Sequence, residues 1–402
     1  MKVPEKTTEN KDKNEKPAEK TSDLVAYRKK RKQRANTIKL AVIGGILILV
    51  VVIAANFNAI IEPFRGIASQ INNKTSSDVG FPVQLPGSAT YSFSRFGSDF
   101  LLLTDTYLYT FNTSGGQNYA FRHGCTNSVQ TANDKRILLY DKGYYEFSLF
   151  SHTSRIYENT MEEKIVYGAL SNNDMAAIVT ASSRFSNELY VYDGGGDWKY
   201  KRKFTDENVM NVAFSGDERY IYVTAIGVEN GEIYSAIYKF DINSSDDEVW
   251  RYQVNSSSIP CEINCANSLV TVVYDNMTAA VTESTGELVN TFTFSGELLA
   301  ADFSNSATAV LYAESATNKT VLAVLDSKND LLGKQTVNVL ANRVVLDGDT
   351  AFLLENSGIS SYNRNAELQK NVEIVEEYSS FIKIDNYIYL LGYDCVEQQP
   401  LN

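Results

Sequence analysis

The stretch AFSGDERYIYVT at residues 213–224 shows the local pattern that decides the fold of this chain. Its polar centre, Ser-Gly-Asp-Glu-Arg, contains residues that stabilise or tolerate the backbone of a tight turn. The segment after the turn, YIYVT, is rich in apolar residues and is typical of a strand that is buried on both faces. The stretch therefore predicts a β-hairpin whose second strand lies inside the protein.

The same pattern, a polar turn followed by a burst of apolar residues, recurs along the chain, and the second strands of successive copies begin 36 to 50 residues apart. The other copies are RFGSDFLLLT (95–104), QTANDKRILLY (130–140), ALSNNDMAAIVT (169–180), NCANSLVTVVY (264–274), DFSNSATAVLYA (302–313), VLDGDTAFLLE (345–355) and KIDNYIYLLGY (383–393). This internal repetition is the strongest signal in the sequence.

Most copies continue with a third strand and a more polar fourth strand, such as LYVYD (189–193) and WKYKRKF (198–204). Four antiparallel strands that recur every ~40–45 residues are typical of the blades of a β-propeller. A helical solenoid is excluded because the copies lack a 3.6-residue periodicity, and a two-sheet sandwich would not explain eight copies of one unit.

The two ends of the repeat array complement each other. The last copy has two clear strands, at residues 379–384 and 387–393, and only nine residues follow. The segment FPVQL at residues 81–85 belongs to no other copy. Because a propeller closes into a ring, we expect residues 81–85 to supply the outermost strand of the last blade. The sequence thus predicts an all-β propeller of eight four-stranded blades, or of seven if the last copy extends its neighbour.

Residues 40–55 (LAVIGGILILVVVIAA) contain no charged side chain. Extended to Ile61, this run would rise about 33 Å as a helix, enough to cross the ~30 Å hydrocarbon core of a bilayer. The basic cluster YRKKRKQR (27–34) precedes the run, whereas residues 62–80 contain only two basic residues. The positive-inside rule therefore predicts one transmembrane helix, with its N-terminus in the cytoplasm.

The predicted organisation is a disordered basic cytoplasmic tail at residues 1–38, a transmembrane helix at 39–61, a linker at 62–80 and an extracytoplasmic propeller at 81–402. An uncleaved anchor is favoured over a cleaved signal peptide because the basic region is long and no small-x-small cleavage site follows. A nucleic-acid-binding role for the basic cluster is the less favoured alternative to a topogenic one.

The net charge of −12 hides an asymmetry between the two parts of the chain. Residues 1–39 carry 13 Lys and Arg against 6 Asp and Glu, whereas the remainder carries 24 against 43. The acidic character of the remainder argues against nucleic acid or anionic lipid as its ligand, although acidity alone also serves solubility.

The four cysteines are few for an exported domain and do not form a disulfide framework. Cys261 and Cys265 are four residues apart in one predicted strand, which separates them by about 13 Å, too far for a disulfide unless the chain turns between them. With only His123 and His152 in the chain, a zinc site is improbable. We expect all four thiols, including Cys125 and Cys395, to be buried and inert.

Residue types that carry out catalysis are scarce, and none stands in a recognisable motif. Neither His123 nor His152 has a catalytic setting, and no P-loop, nucleophile elbow or zinc-protease motif occurs. Residues 246–248 (Asp-Asp-Glu) could form a calcium cluster, but a solvated turn is the favoured interpretation. We therefore predict no catalytic, cofactor-binding or metal-binding residue, and no cofactor.

The segment DGGGDW at residues 193–198 resembles the Asp-box of sialidase-like propellers, although Val191 replaces its usual Ser or Thr. In that family the box stabilises a turn, so this resemblance supports the fold and not an activity. Quinone-cofactor propellers carry tryptophan docking motifs in nearly every blade, whereas this chain has only Trp198 and Trp250, which disfavours that cofactor. The N-x-S/T sequons at Asn243 and Asn318 are interpreted as chance.

The whole plan of basic tail, single anchor, linker and propeller with Tyr/Phe-Asp turns resembles the membrane-anchored propeller proteins of Gram-positive, clostridia-type bacteria. The repeats are similar, more loosely, to the WD-repeat and quinoprotein-like propellers. The Trp-Asp and Gly-His dipeptides of WD repeats are missing, so the partners of that family are not carried over.

Two hypotheses of function follow from these observations. The first is a non-enzymatic binding or scaffolding module of the cell envelope, whose partner is an envelope protein or a glycan. The alternative is an envelope enzyme that acts on glycans through carboxylates in the central funnel. Two carboxylates about 5–9 Å apart beneath an aromatic rim would favour the enzyme. An exposed apolar patch on one rim would favour a protein partner. Signalling through the short tail is a third, weaker hypothesis.

Overall fold

The computed structural model describes residues 80–85, 90–244, 247–254, 257–374 and 378–401. The predicted tail and transmembrane helix, and all but the last residue of the predicted linker, lie outside these residues. Among the residues that are described, no helix is long and apolar enough to cross a membrane. Every helix or strand element found within them is a β-strand.

The strands form eight antiparallel four-stranded sheets, which are the blades of a propeller. Blade 1 contains β2 (Thr90–Phe96), β3 (Asp99–Thr104), β4 (Tyr107–Phe111) and β5 (Gln117–Arg122). Blade 2 contains β6 (Ser128–Ala132), β7 (Ile137–Asp141), β8 (Glu146–Phe150) and β9 (Arg155–Thr160). Blade 3 contains β10 (Ile165–Leu170), β11 (Ala176–Ala181), β12 (Asn187–Tyr192) and β13 (Trp198–Phe204). Blade 4 contains β14 (Asn208–Phe214), β15 (Tyr220–Glu229), β16 (Glu232–Asp241) and β17 (Trp250–Val254).

The next three blades repeat this order. Blade 5 contains β18 (Pro260–Ala266), β19 (Leu269–Tyr274), β20 (Met277–Thr282) and β21 (Leu288–Thr293). Blade 6 contains β22 (Gly296–Phe303), β23 (Ala307–Glu314), β24 (Lys319–Asp326) and β25 (Leu331–Val337). Blade 7 contains β26 (Val339–Asp347), β27 (Thr350–Glu355), β28 (Gly358–Tyr362) and β29 (Leu368–Val372).

Blade 8 joins the two ends of the propeller. It contains β30 (Ser380–Ile384), β31 (Tyr387–Leu391), β32 (Cys395–Pro400) and, as its outermost strand, β1 (Val83–Gln84). Strand β1 pairs with β32 through Val83 opposite Val396 and Gln84 opposite Cys395. The predictions of eight blades and of ring closure by the segment at residues 81–85 are confirmed.

The described core consists of eight apolar clusters, one at each interface between neighbouring blades. The second strands contribute to two clusters each because their successive side chains point to opposite faces of the blade. Leu101 and Leu102 in β3, for example, are both fully buried, in the interfaces with blade 2 and blade 8 respectively. Burial of one such leucine contributes about 1.5–3 kcal/mol. The continuous apolar runs of the second strands therefore hold the ring together.

The meander topology of the blades gives the propeller two different ends. The turns between the first and second strands of every blade, and those between the third and fourth strands of blades 1 to 7, lie at one end, which we name the turn end. The turns between the second and third strands and the connections between blades lie at the other, which we name the connection end. Candidate sites can therefore lie at the turn end, at the connection end, or in the central channel that the ring of blades encloses.

Candidate functional site

The first strands of the blades contact one another around a central channel. Polar side chains on these strands connect neighbouring blades. Gln130 Nε2 donates hydrogen bonds to Ser92 Oγ at 2.8 Å and to Ser94 Oγ at 2.7 Å, which joins blade 2 to blade 1. Asn211 Nδ2 donates to the Pro260 carbonyl at 3.2 Å, which joins blade 4 to blade 5. The channel is therefore lined in part by polar groups that also stabilise the ring.

Asp302 on β22 is the first of three charged residues on first strands whose pKa is shifted by burial. Its Oδ1 accepts a hydrogen bond from the Phe303 N–H at 2.9 Å, and its Oδ2 accepts one from the Leu346 N–H of blade 7 at 2.7 Å. Desolvation by the surrounding protein nevertheless raises the pKa of the Asp302 carboxyl, against the effect of these hydrogen bonds. The Oδ2 contact thus joins blade 6 to blade 7, whereas the Oδ1 contact stays within β22.

Glu262 on β18 is the second charged residue, and its environment differs from that of Asp302. Its side chain accepts no hydrogen bond from any residue that the structure describes. Desolvation, and to a smaller extent the negative charge of Asp302, raises the pKa of Glu262 to about 7. Glu262 is therefore a carboxyl group that changes charge near neutral pH.

Arg343 on β26 is the third, and it reaches across blade 8. Its Nη1 donates to the Phe93 carbonyl of blade 1 at 3.0 Å and to Ser380 Oγ of blade 8 at 3.1 Å. Burial lowers the pKa of Arg343, while the nearby carboxylate of Asp302 raises it. The guanidinium therefore joins three blades from within the channel.

A cavity of about 600 Å³ lies between the first strands of blades 6, 7, 8 and 1. Asp302, Arg343, Ser380, Lys383 and Arg95 contribute its polar lining. Its volume is within the range of sites for small molecules. Of the two features that would indicate a glycan-cleaving funnel, the described lining contains the carboxylates of Asp302 and Asp347, and Phe303 is its one aromatic residue.

The two histidines lie outside this cavity. His123 is buried in the connection between blades 1 and 2, where its Nε2 lies 3.0 Å from the Thr104 carbonyl oxygen. His152 stacks on Phe96 with ring centroids 3.9 Å apart, and its Nδ1 lies 3.3 Å from Asp99 Oδ2. Both side chains therefore have structural partners.

None of the four cysteines, all of which the structure describes, forms a disulfide, but the expectation that all are buried is wrong for Cys261. Only Cys395 is fully buried; Cys125 and Cys265 are partly buried and Cys261 is exposed. The sequence does not show that the pairing of β18 with β19 shifts register between Pro260 and Glu262. This irregularity takes Cys261 out of the alternation that packs Ile263 and Cys265 between blades 4 and 5. Desolvation raises the pKa of Cys261 to about 11 and that of Cys265 to about 12, so both stay protonated near neutral pH.

The acidic segment at residues 246–248 is only partly described, because Asp246 lies outside the described residues. Asp247 Oδ1 and Glu248 Oε2 lie 3.4 Å and 3.7 Å from Arg202 Nη2. Across the described ranges, no group of three or more His, Cys, Asp or Glu side chains is arranged to hold a metal ion.

The Asp193 turn has the structural role that its resemblance to an Asp-box implies. Asp193 Oδ1 accepts hydrogen bonds from the N–H groups of Gly195 and Asp197, both at 3.0 Å. In other blades too, a side-chain oxygen at the end of the third strand accepts hydrogen bonds from the N–H groups of the second and fourth residues after it. Its other described occurrences are at Asn112, Asp326 and Asn363.

Replacing Asp326 by alanine is expected to lower the free energy of unfolding by about 1–2 kcal/mol, because two turn N–H groups lose their acceptor. Asp326→Asn is the matched control and is expected to remain close to wild type, since Asn112 and Asn363 perform the same function in other blades. Denaturant unfolding of both variants tests this. Equal destabilisation by alanine and asparagine would show that the charge, not the acceptor, matters.

An exposed apolar residue stands at the start of the outermost strand, or one residue before it, in five consecutive blades, at the turn end. The five are Trp198, Val249, Leu288, Leu331 and Leu368, which are between 44% and 60% exposed. Each directly follows an acidic residue; these are Asp197, Glu248, Glu287, Asp330 and Glu367. We name these ten residues the acidic–apolar arc. In blades 1 and 2 the outermost strand begins instead with Gln117 and Arg155.

Neither the charged channel residues nor the acidic–apolar arc was recognised from the sequence. The channel residues give only a weak signal, a charged residue in a first strand such as PCEINCA (260–266). The arc carries a stronger signal, an acidic–apolar dipeptide at the start of the fourth strand in five of the repeats. It becomes visible once the copies are aligned on their fourth strands.

The fold and these sites define an eight-bladed β-propeller with a polar channel. Residues 72–395 match the model of the Family of unknown function (DUF5711), and the chain belongs to that family. No curated protein matches the sequence.

Several solved structures are similar in fold. Sqt1 from Saccharomyces cerevisiae has a TM-score of 0.58 at 9% identity, with 81% of this chain and 100% of that chain covered. The C-terminal WD40 domain of Sif2 has a TM-score of 0.54 at 11% identity, with 80% and 100% covered. The dihydro-heme d1 dehydrogenase NirN, in complex with DHE, has a TM-score of 0.53 at 11% identity, with 81% and 79% covered. At these identities the likeness shows the propeller fold alone.

Proposed function

We propose that this protein is a non-enzymatic binding scaffold of the cell envelope. The apolar run at residues 40–61 would anchor it in the cytoplasmic membrane, and the basic cluster before the run would keep the N-terminus inside. The propeller would then face the outside and present a broad, rigid surface to a partner protein.

The observation that carries this proposal is the acidic–apolar arc. Exposed Trp and Leu side chains supply the apolar contacts on which protein interfaces depend, and Trp is enriched among the residues that dominate binding energy. A recurring exposed apolar position on five adjacent blades, which Gln117 and Arg155 occupy in blades 1 and 2, indicates a one-sided interaction surface. The acidic neighbours favour a partner whose surface is basic as well as apolar.

A glycan-cleaving enzyme remains the second candidate, since burial and, to a smaller extent, the charge of Asp302 raise the pKa of Glu262 to about 7. Such chemistry needs one carboxylic acid and one free carboxylate. Both oxygens of Asp302 already accept backbone hydrogen bonds, and the one from Leu346 joins blade 6 to blade 7. This structural role weighs against a catalytic role for Asp302. Release of reducing sugar from envelope glycans by the wild type, and its loss in Glu262→Gln, would support the enzyme.

The binding proposal is tested by crosslinking in intact cells of the native organism, followed by purification through a tag on the tail and mass spectrometry. The arc variant combines Leu288→Ser, Leu331→Ser and Leu368→Ser. If each leucine contributes about 1 kcal/mol to binding, the variant loses about 100-fold in affinity and the partner is no longer recovered.

The matched control combines Val228→Ser and Ile233→Ser at the connection end. These residues are also apolar and exposed, at 67% and 47%. The control is expected to recover the partner as the wild type does. Recovery of a partner by the arc variant at the wild-type level, or recovery of nothing but the protein itself by the wild type, would contradict the proposal.

A further inference from the structure

The cavity between the first strands of blades 6, 7, 8 and 1 is lined by basic and acidic side chains. The charged residues of its described lining are Arg95, Asp302, Arg343, Asp347 and Lys383. Lys383 pairs with Asp347, and its Nζ also donates to the Asp385 carbonyl at 2.7 Å. Both oxygens of Asp302 accept backbone hydrogen bonds. Arg95 and Arg343, in contrast, form no ion pair with any residue that the structure describes.

A direct contact brings Arg343 to the strand that carries Arg95. Arg343 Nη1 donates to the Phe93 carbonyl at 3.0 Å, and Phe93 precedes Arg95 by two residues on β2. Two residues of a β-strand span about 6.5 Å. The same Nη1 donates to Ser380 Oγ at 3.1 Å, and Ser380 lines the cavity together with both arginines. The Arg343 guanidinium therefore lies against β2, close to the position from which the Arg95 side chain begins.

Each of the two arginines has one pair of donor nitrogens that the protein does not use. Arg95 Nε donates to the Gly97 carbonyl at 2.8 Å, and its Nη1 and Nη2 have no acceptor within the described part of the chain. For Arg343, only Nη1 has acceptors among the same residues, so Nε and Nη2 have none. Such a pair on one edge of a guanidinium can donate two parallel hydrogen bonds to an oxyanion. An anion would also relieve the repulsion between two like charges in one cavity.

We propose that this cavity binds a small molecule that carries a single carboxylate group. The carboxylate would lie between the two arginines, with Nη1 and Nη2 of Arg95 on one side and Nε and Nη2 of Arg343 on the other. Its two oxygens have about four lone pairs, enough to accept one hydrogen bond from each of these nitrogens. The cavity of about 600 Å³ has room for an organic group beside the carboxylate. Ala300, Ala301 and Ala341 supply apolar lining for that group.

The charge of the cavity favours one carboxylate over other ionic groups. Its described lining contains three basic and two acidic residues, a balance of +1, which a single negative charge neutralises. A phosphate group carries about −1.5 to −2 at pH 7 and would leave excess negative charge beside Asp302 and Asp347. A cation would meet two guanidinium groups that have no counter-ion among the described residues. The inference does not depend on the acidic–apolar arc, which lies on the outermost strands.

The test is isothermal titration calorimetry of the purified full chain with acetate, propionate, butyrate, lactate, pyruvate and benzoate. We expect at least one of these carboxylates to bind with a Kd below about 1 mM. The primary amide of that compound is expected to bind at least about 10-fold more weakly, because it has the same shape but lacks the charge that strengthens hydrogen bonds from arginine. Inorganic phosphate is expected to bind more weakly than the same carboxylate.

Variants assign the binding to the cavity. Arg95→Gln and Arg343→Gln are each expected to weaken binding of the carboxylate at least about 10-fold, because each removes one pair of donors. Arg364→Gln, which removes an exposed arginine of blade 7 outside the described lining, is expected to leave binding unchanged. Should Arg343→Gln fail to fold, Arg95→Gln still decides, since Arg95 is exposed and donates only to Gly97 among the described residues. Absence of binding by every carboxylate at about 10 mM, tighter binding of phosphate, or wild-type affinity in Arg95→Gln would overturn the proposal.

Discussion

Replacing Val83 by aspartate is expected to lower the free energy of unfolding by about 3–5 kcal/mol. Val83 is 6% exposed and packs in the cluster between blades 8 and 1. It also belongs to the two-residue strand that completes blade 8. The substitution buries an unpaired charge and weakens ring closure at the same time. Denaturant unfolding of the purified chain measures the effect.

Gln84→Asp is the matched control for this prediction. Gln84 belongs to the same strand and pairs with Cys395, but its side chain is exposed. It is expected to change stability by no more than about 0.5 kcal/mol. If both variants were equally stable, the strand β1 would not contribute to closing the ring.

The second large effect is a pH dependence of the free energy of unfolding that comes from Glu262. Its pKa is about 7 in the folded protein and about 4.3 in an unfolded chain. The folded state therefore binds the proton more tightly, so the contribution of Glu262 is most favourable below about pH 4.3 and is lost as the pH rises to about 7. Above that pH the ionised carboxylate destabilises the folded protein.

Glu262→Gln removes this ionisation. The variant is expected to be more stable than the wild type by about 2 kcal/mol at pH 8, with a smaller difference at pH 5, after allowance for solvent in the channel. Unfolding by denaturant at both pH values measures the two differences, and Glu297→Gln controls for removing an exposed carboxylate. A difference between Glu262→Gln and wild type that does not change with pH would show that Glu262 is not desolvated.

The fold was largely predictable because its signals are local and repeated. Each hairpin has a polar turn before an apolar second strand, and closure follows from counting the strands of the last copy. Strand β32, Cys395–Pro400, was the exception, since its sequence CVEQQP is mostly polar. It is recognisable as a strand only through its pairing with β1 and β31.

The candidate sites were less predictable because they depend on how distant segments are placed. Glu262, Asp302 and Arg343 come from three blades, and the sequence does not show which side of a first strand faces the channel. Arg343 in particular bonds to Phe93, 250 residues away in the chain. The arc could have been found, because it repeats with the blades, but it lies in the polar fourth strands that a search for buried strands passes over.

The proposal of a binding scaffold is tested most directly by placing a photoactivatable crosslinking amino acid on the propeller surface in intact cells. Position 331 lies in the acidic–apolar arc and is 44% exposed, and position 228 is a still more exposed apolar position, at 67%, at the connection end. A binding scaffold that uses the arc predicts a discrete crosslinked partner at position 331 and none at position 228. Crosslinks at neither position, or the same products at both, would contradict it.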